Sequence, residues 1–137
     1  MKYRIGQNID FIIVDIHAEA TSEKMAMGHY LDGRVSLVVG THTHVPTSDA
    51  QILSKGSGYI TDAGMCGDYD SVIGMEKQEP INRFTTGISK GRFVPSAGKA
   101  TLAGVLTKIN KDGTLEEIKS LKFGGKLGVE FSELDMH

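Results

Sequence analysis

Arg34-Val35-Ser36-Leu37-Val38-Val39-Gly40-Thr41-His42-Thr43-His44 is the stretch on which the fold turns. Its first six residues are mostly apolar and β-branched, the pattern of a buried strand. Two histidines follow almost at once. At positions i and i+2 their rings share one side if the chain stays extended. Neutral imidazole is a common ligand for zinc, iron, copper and nickel, so two rings on one rim point to a metal. An isolated H-x-H also arises by chance, and ordinary loop histidines that hydrogen-bond to backbone remain the competing reading.

Working outward, Ile9-Asp10-Phe11-Ile12-Ile13-Val14-Asp15-Ile16 is a nearly continuous apolar run that predicts a central strand covered on both faces. His17 follows it. Ser22 or Thr21 is placed to cap a short helix over Glu23–Leu31, with Met27, Tyr30 and Leu31 on its buried face, and Asp32-Gly33 stops it. Strand, helix and strand at this spacing form a βαβ unit with parallel strands and a right-handed crossover. Parallel neighbours end at the same edge, where ligand sites of open α/β sheets lie. His17, His42 and His44 can therefore converge.

The remainder predicts short strands at 50–53 and 59–62, a glycine-rich loop at 63–67, loop over 68–79, a helix from Pro80 to Thr86, and loop over 90–98. Residues 100–109 and 114–123 form two strand-like runs joined by Asn110-Lys111-Asp112-Gly113, an Asp-Gly hairpin signal. The tail from Gly124 is glycine-rich, then acidic, and reads as frayed. The fold class is α/β: a βαβ unit followed by a β-rich half with a C-terminal hairpin. A first sheet of only two clear strands is thin for a stable open sheet.

The composition fits one soluble globular domain over residues 1–137. Hydrophobic residues make up 39% and charged residues 23%, with a formal net charge of −2, which gives no basis for broad nucleic-acid binding. No apolar run approaches the roughly 18 residues of a membrane-spanning helix. The first seven residues carry no signal-peptide h-region. One cysteine, Cys66, excludes an internal disulfide and fits a cytoplasmic location.

The three histidines are the sharpest chemical signal. With one zinc and a water they would form a mononuclear hydrolytic site. Asp15 and Glu19 flank His17, and Asp49 and Asp62 lie near other strand ends; each is expected to orient a ligand, cap a helix or face solvent rather than ligate directly. His29, on the exposed side of its helix, and His137 at the terminus are expected to be inert. Cys66 reads as a buried or loop thiol. Gly64 and Gly67 could bring backbone N–H groups to a phosphate, and Asn82 and Arg83 could bind an anion, although a lone helical arginine is more often a surface charge.

Several motifs in order carry a resemblance: Asp15–Lys24, Leu31-Asp32-Gly33-Arg34-Val35, Gly40–Val45, Tyr59–Met65 and Ser71-Val72-Ile73-Gly74-Met75. From about residue 9 to about residue 123 the chain resembles the YmdB-type metallophosphoesterases of the calcineurin-like superfamily. The resemblance implies a portion of a four-layer α/β/β/α sandwich and a dinuclear centre of two divalent metal ions, iron or manganese most often and zinc less so. It implies hydrolysis of phosphodiesters, with 2′,3′-cyclic nucleotides as the substrate class and a water between the metals as nucleophile. His17 and His42 match ligands of one metal, and His44 a ligand of the other.

The family pattern also has an N-terminal half with an Asp ligand, a bridging Glu, Asn ligands and a His that protonates the leaving group. Those motifs are not among these residues, so no catalytic acid is assigned here. The resemblance covers the carboxyl-terminal half alone. Taken alone, the chain is then expected to be inactive, and either to self-associate or to pair with the missing half. A non-catalytic regulatory or assembly module is the further alternative.

Overall fold

A computed structural model describes residues 8–128. The readings of the first seven residues, of the acidic tail beyond Gly128 and of His137 fall outside them. The chain divides into two compact units. One comprises the described residues up to Gly64 together with Gly104–Leu121; the other comprises Met65–Ala103 and the described residues from Lys122 to Gly128.

The first unit holds the βαβ element. Strand β1 (Ile13–His17) is followed by α1 (Thr21–Leu31), β2 (Leu37–Thr41), β3 (Gln51–Ile52) and β4 (Gly58–Ile60). The sheet order is β1-β2-β4-β3; β1, β2 and β4 run parallel, and β3 is antiparallel to β4. The sheet thus has four strands rather than two. Val35, Val38, Leu53 and Tyr59 form its buried core, with Ile12, Val14, Ile16 and Leu31 packed against them.

Strand β1 corrects the expectation of a strand covered on both faces. It lies at an edge of the sheet, and its burial alternates: Val14 and Ile16 turn inward, whereas Ile13, Asp15 and His17 face solvent. The continuous apolar run hid this twofold period, because Phe11 and Ile13 are apolar yet exposed.

Helix α1 also departs from its expected burial. Met27 and Tyr30 are exposed, and the buried positions are Lys24 and Gly28, one helical turn apart. The helix starts at Thr21, and its N-cap, Ala20, offers no side-chain cap. Gly28 is what lets it sit down. A Cβ there would fall 2.4 Å from the Tyr59 ring. Gly40 has the same function on β2, where a Cβ would meet the Thr61 carbonyl oxygen at 1.6 Å and the Lys24 stem at 3.1 Å. At the opposite end of the strands Asp32 is buried and accepts from Ser54, Ser57 and the Lys55 amide. Leu115, at the start of β7, donates its amide to Gly56, and its side chain occupies the space beside Gly58.

The second unit contains β5 (Gly67–Asp68), α2 (Gln78–Thr86) and the first residues of β6 (Ala100–Ile109). The hairpin is as expected: β6 and β7 (Leu115–Phe123) flank the turn at Gly113, whose φ of 82° favours glycine, and the sheet order is β5-β6-β7. Pro80 occupies the third helical position of α2, where its missing N–H costs no intrahelical bond. The 68–79 segment, expected as loop, is tied by the Val72–Met75 and Met75–Pro95 bridges.

Helix α2 is latched to the following loop. Glu79 accepts from Arg83 Nε at 2.7 Å, the Ser89 hydroxyl at 3.1 Å and the Lys90 amide at 3.0 Å. The Arg83 guanidinium also donates to the Gly91 carbonyl and lies 4.0 Å from the Phe93 ring centroid. Asn82 donates to the Ile88 carbonyl. Both candidate anion binders are therefore engaged in holding this turn.

Two outcomes follow for stability. Gly28→Ala gains about 1 kcal/mol of helix propensity but overpacks an enclosed ring at about 1–3 kcal/mol, so urea denaturation should give net destabilisation. The Arg83 bond chiefly lowers the Glu79 pKa from 4.5 to about 2; burial opposes it, and the Lys90, Gly91 and Ser89 donors add to the lowering. The stabilisation is complete above pH 4.5 and is lost as pH falls through about 2. The stability gap between wild type and Glu79→Gln should close over that window.

Candidate metal centre

The parallel register of β1 and β2 builds the site. His17 lies beside Thr41, and Asp15 precedes His17 by two residues on the same outward face. The Thr41 hydroxyl donates to Asp15 Oδ1 at 2.7 Å and lies 3.0 Å from His17 Nδ1. A hydroxyl has one proton, so with Asp15 as its acceptor it must accept from His17 Nδ1–H. His17 Nε2 is thereby the unprotonated nitrogen of the neutral ring.

That nitrogen faces His42. His17 Nε2 and His42 Nδ1 are 3.0 Å apart, and the rings meet edge to face. On the far side of the second ring, His42 Nε2 lies 3.2 Å from Glu19 Oε2. Each imidazole therefore has its outer nitrogen directed to a carboxylate, through Thr41 for His17 and directly for His42. The inner nitrogens are left to share a proton or an ion. Two nitrogens each about 2.1 Å from one metal and at right angles to each other lie about 3.0 Å apart. The separation of the pair matches that spacing.

Strand β2 stops at Thr41, and the premise of an extended H-x-H fails: His42 has φ 107° and His44 has φ 65°. With this left-handed turn at His42 its ring meets that of His17. Among the described residues no group of three or more His, Cys, Asp or Glu is placed to hold a metal ion. His29 is exposed, as expected, and Cys66 is an exposed thiol whose Sγ lies 3.4 Å from the Ala103 carbonyl oxygen.

Asp49 and Asp62 serve the backbone around the site. Asp49 accepts from the Thr61 amide at 3.2 Å and from the Thr61 hydroxyl. Asp62 Oδ2 accepts from Lys24 Nζ at 2.9 Å and from the Thr43 amide at 3.0 Å, and its Oδ1 accepts from Gly64 at 2.9 Å. Burial pushes the Asp62 carboxyl up, but the Lys24 ammonium and these amides outweigh it and hold the group below its ordinary value. Sequence reasoning missed Lys24 and Thr41. Thr41 was open to inference from its place at the end of β2, just before His42 and directly opposite His17 in the parallel register.

Comparison with known proteins agrees with this architecture. The model of the YmdB-like protein family matches residues 2–121. The chain belongs to the YmdB-like family. It is 53% identical over 109 residues to a 2′,3′-cyclic-nucleotide 2′-phosphodiesterase of Bacillus subtilis strain 168, covering 80% of this chain and 40% of that protein. It is 47% identical to a putative phosphatase/phosphodiesterase of Mycoplasma pneumoniae, covering 77% and 38%.

Two crystal structures share the YmdB-like chain's mixed α/β fold. A hypothetical protein from Thermus thermophilus gives a TM-score of 0.79 at 45% identity, over 88% of this chain and 47% of that one. A novel phosphatase from Mycoplasma pneumoniae gives 0.79 at 41%, over 86% and 42%. The chain thus spans less than half the length of each of these relatives.

If the Thr41 relay sets the tautomer, Thr41→Val should leave the fold intact and weaken binding of manganese(II) about tenfold. Calorimetric titration would read this loss, and Asp15→Asn should reproduce most of it.

Proposed function

We propose that this chain contributes the histidine wall of a metal-dependent phosphodiesterase, with 2′,3′-cyclic nucleotides as substrate. The carrying observation is the 3.0 Å approach of His17 Nε2 and His42 Nδ1 at the carboxyl ends of adjacent parallel strands. The name of the Bacillus subtilis relative supports the substrate class. In the reaction, water attacks phosphorus, the P–O2′ bond breaks, and the 2′ oxygen takes up a proton.

A divalent ion bound here would supply positive charge against the phosphoryl oxygens and acidify the attacking water. His17 and His42 would hold it, with Asp15 acting through Thr41 and Glu19 directly to keep the inner nitrogens available. His44 belongs to the same proposal as a ligand of a second ion. So do the four-layer sandwich and the reading of this chain as one carboxyl-terminal part of a single domain.

Two nitrogens do not complete a coordination sphere, and no general acid is assigned. The remaining ligands are proposed to come from polypeptide outside this chain, either the rest of a longer protein or an associated chain. The exposed Phe11 and Ile13, on the strand that carries Asp15 and His17 or just before it, support such a cover over β1.

The test is reconstitution. The purified chain should bind manganese(II) weakly and hydrolyse 2′,3′-cyclic AMP at no more than a trace rate. Adding the segment of the Bacillus subtilis relative that lies outside the match should raise turnover at least a hundredfold, and His17→Ala should abolish the gain. Turnover by the isolated chain equal to that of the intact relative would overturn the proposal of a shared site.

A further inference from the structure

The one buried ion pair among the described residues lies directly beneath the histidine turn. The Lys24 and Asp62 side chains are 0% and 1% exposed, and their contact joins α1 to a residue just after β4. Asp62 Oδ2 receives two donors, Lys24 Nζ and the Thr43 amide. Thr43 lies between His42 and His44, both with positive φ. The oxygen that neutralises Lys24 is therefore also the acceptor that anchors the centre of the strained turn.

The same segment is tied at its other side. The Thr47 amide donates to the Asp62 carbonyl at 3.0 Å, the Thr47 hydroxyl accepts from the Asp62 amide at 2.9 Å, and the Ala63 amide donates to the Gly40 carbonyl at 2.9 Å. Those bonds hold the two ends of the 40–47 turn against residues 62 and 63. The Asp62 carboxylate reaches its middle, at the Thr43 amide.

We propose that Lys24 and Asp62 are positioning residues for the metal site, holding Thr43 so that His42 Nδ1 stays directed at His17 Nε2. This rests on the reading of His17 and His42 as ligands, and neither Lys24 nor Asp62 touches the ion or the substrate. Lys24 acts through Asp62. Its ammonium keeps the carboxylate ionised and oriented in a buried place, and the carboxylate then holds the Thr43 and Gly64 amides.

Asp62→Asn removes the charge and leaves one carbonyl oxygen where two carboxylate oxygens served three donors. Because a lone buried Lys24 could unfold that variant, Lys24→Met/Asp62→Leu is the second test. It replaces the pair by apolar volume, which buried ion pairs often tolerate, and removes the acceptor of Thr43. The control is Asp32→Asn, a buried carboxylate with three donor groups at the opposite end of the strands.

Manganese(II) affinity of the full chain is measured by titration at a temperature where circular dichroism shows every variant folded. Lys24→Met/Asp62→Leu should bind at least tenfold more weakly, while Asp32→Asn should lose thermal stability and keep wild-type affinity. A metal-free arm reads the His17–His42 hydrogen bond by imidazole ¹⁵N NMR; its signature should be lost in the double variant and kept in the control. If wild type and His17→Ala bind manganese(II) equally, the ligand reading fails and the NMR arm alone decides the positioning role. Wild-type affinity or wild-type imidazole signals in a folded double variant would overturn it.

Discussion

The Lys24–Asp62 ion pair is the constraint on which the first unit depends. Bringing two charges out of water costs several kcal/mol per ion, and attraction at 2.9 Å offsets this only with good geometry and further hydrogen bonds. Those bonds are present: Asp62 also accepts from the Thr43 and Gly64 amides. A well-packed apolar pair could serve stability as well, and it could not hold two backbone amides. What the ion pair adds is a specified backbone path after β2, with α1, the end of β4 and the histidine turn meeting at one carboxylate.

The site itself is a consequence of twofold strand periodicity at a sheet edge. Asp15 and His17 share the outward face of β1 because they are two residues apart, and the parallel register brings Thr41 beside His17. A shift of one residue would turn both side chains into the core and bring Val14 and Ile16 to the surface. The packing of those two residues against Val35, Val38 and Tyr59 therefore selects the register that builds the hydrogen-bonded relay. Core and chemistry are set by one choice.

The convergence of His17 and His42 was legible because it needs only two strands, a crossover and the rule that parallel neighbours end together. The hairpin was legible from Asp112-Gly113. The burial of α1 was not, since a lysine and a glycine replace the usual apolar stripe and their partners, Tyr59, Gly40 and Asp62, are remote in sequence. The edge position of β1 was concealed by exposed apolar residues that mimic a central strand. The turn at His42 and His44 was hidden for a related reason: a positive φ at a histidine has no local composition signal. It is a tertiary outcome.

That strain has a physical counterpart in the bonds around it. Each non-glycine residue in the left-handed region costs on the order of 1–3 kcal/mol and persists only where its surroundings over-determine it. Two such residues bracket Thr43. The paired bonds between Thr47 and Asp62 and the Ala63–Gly40 bond hold the ends of the turn, and the Asp62 carboxylate holds its middle. Without the middle bond, His42 could relax toward an extended conformation, and its ring would leave His17. The left-handed turn instead pairs His42 with His17 across two strands. The geometry that looks like a defect of the turn is what assembles the pair.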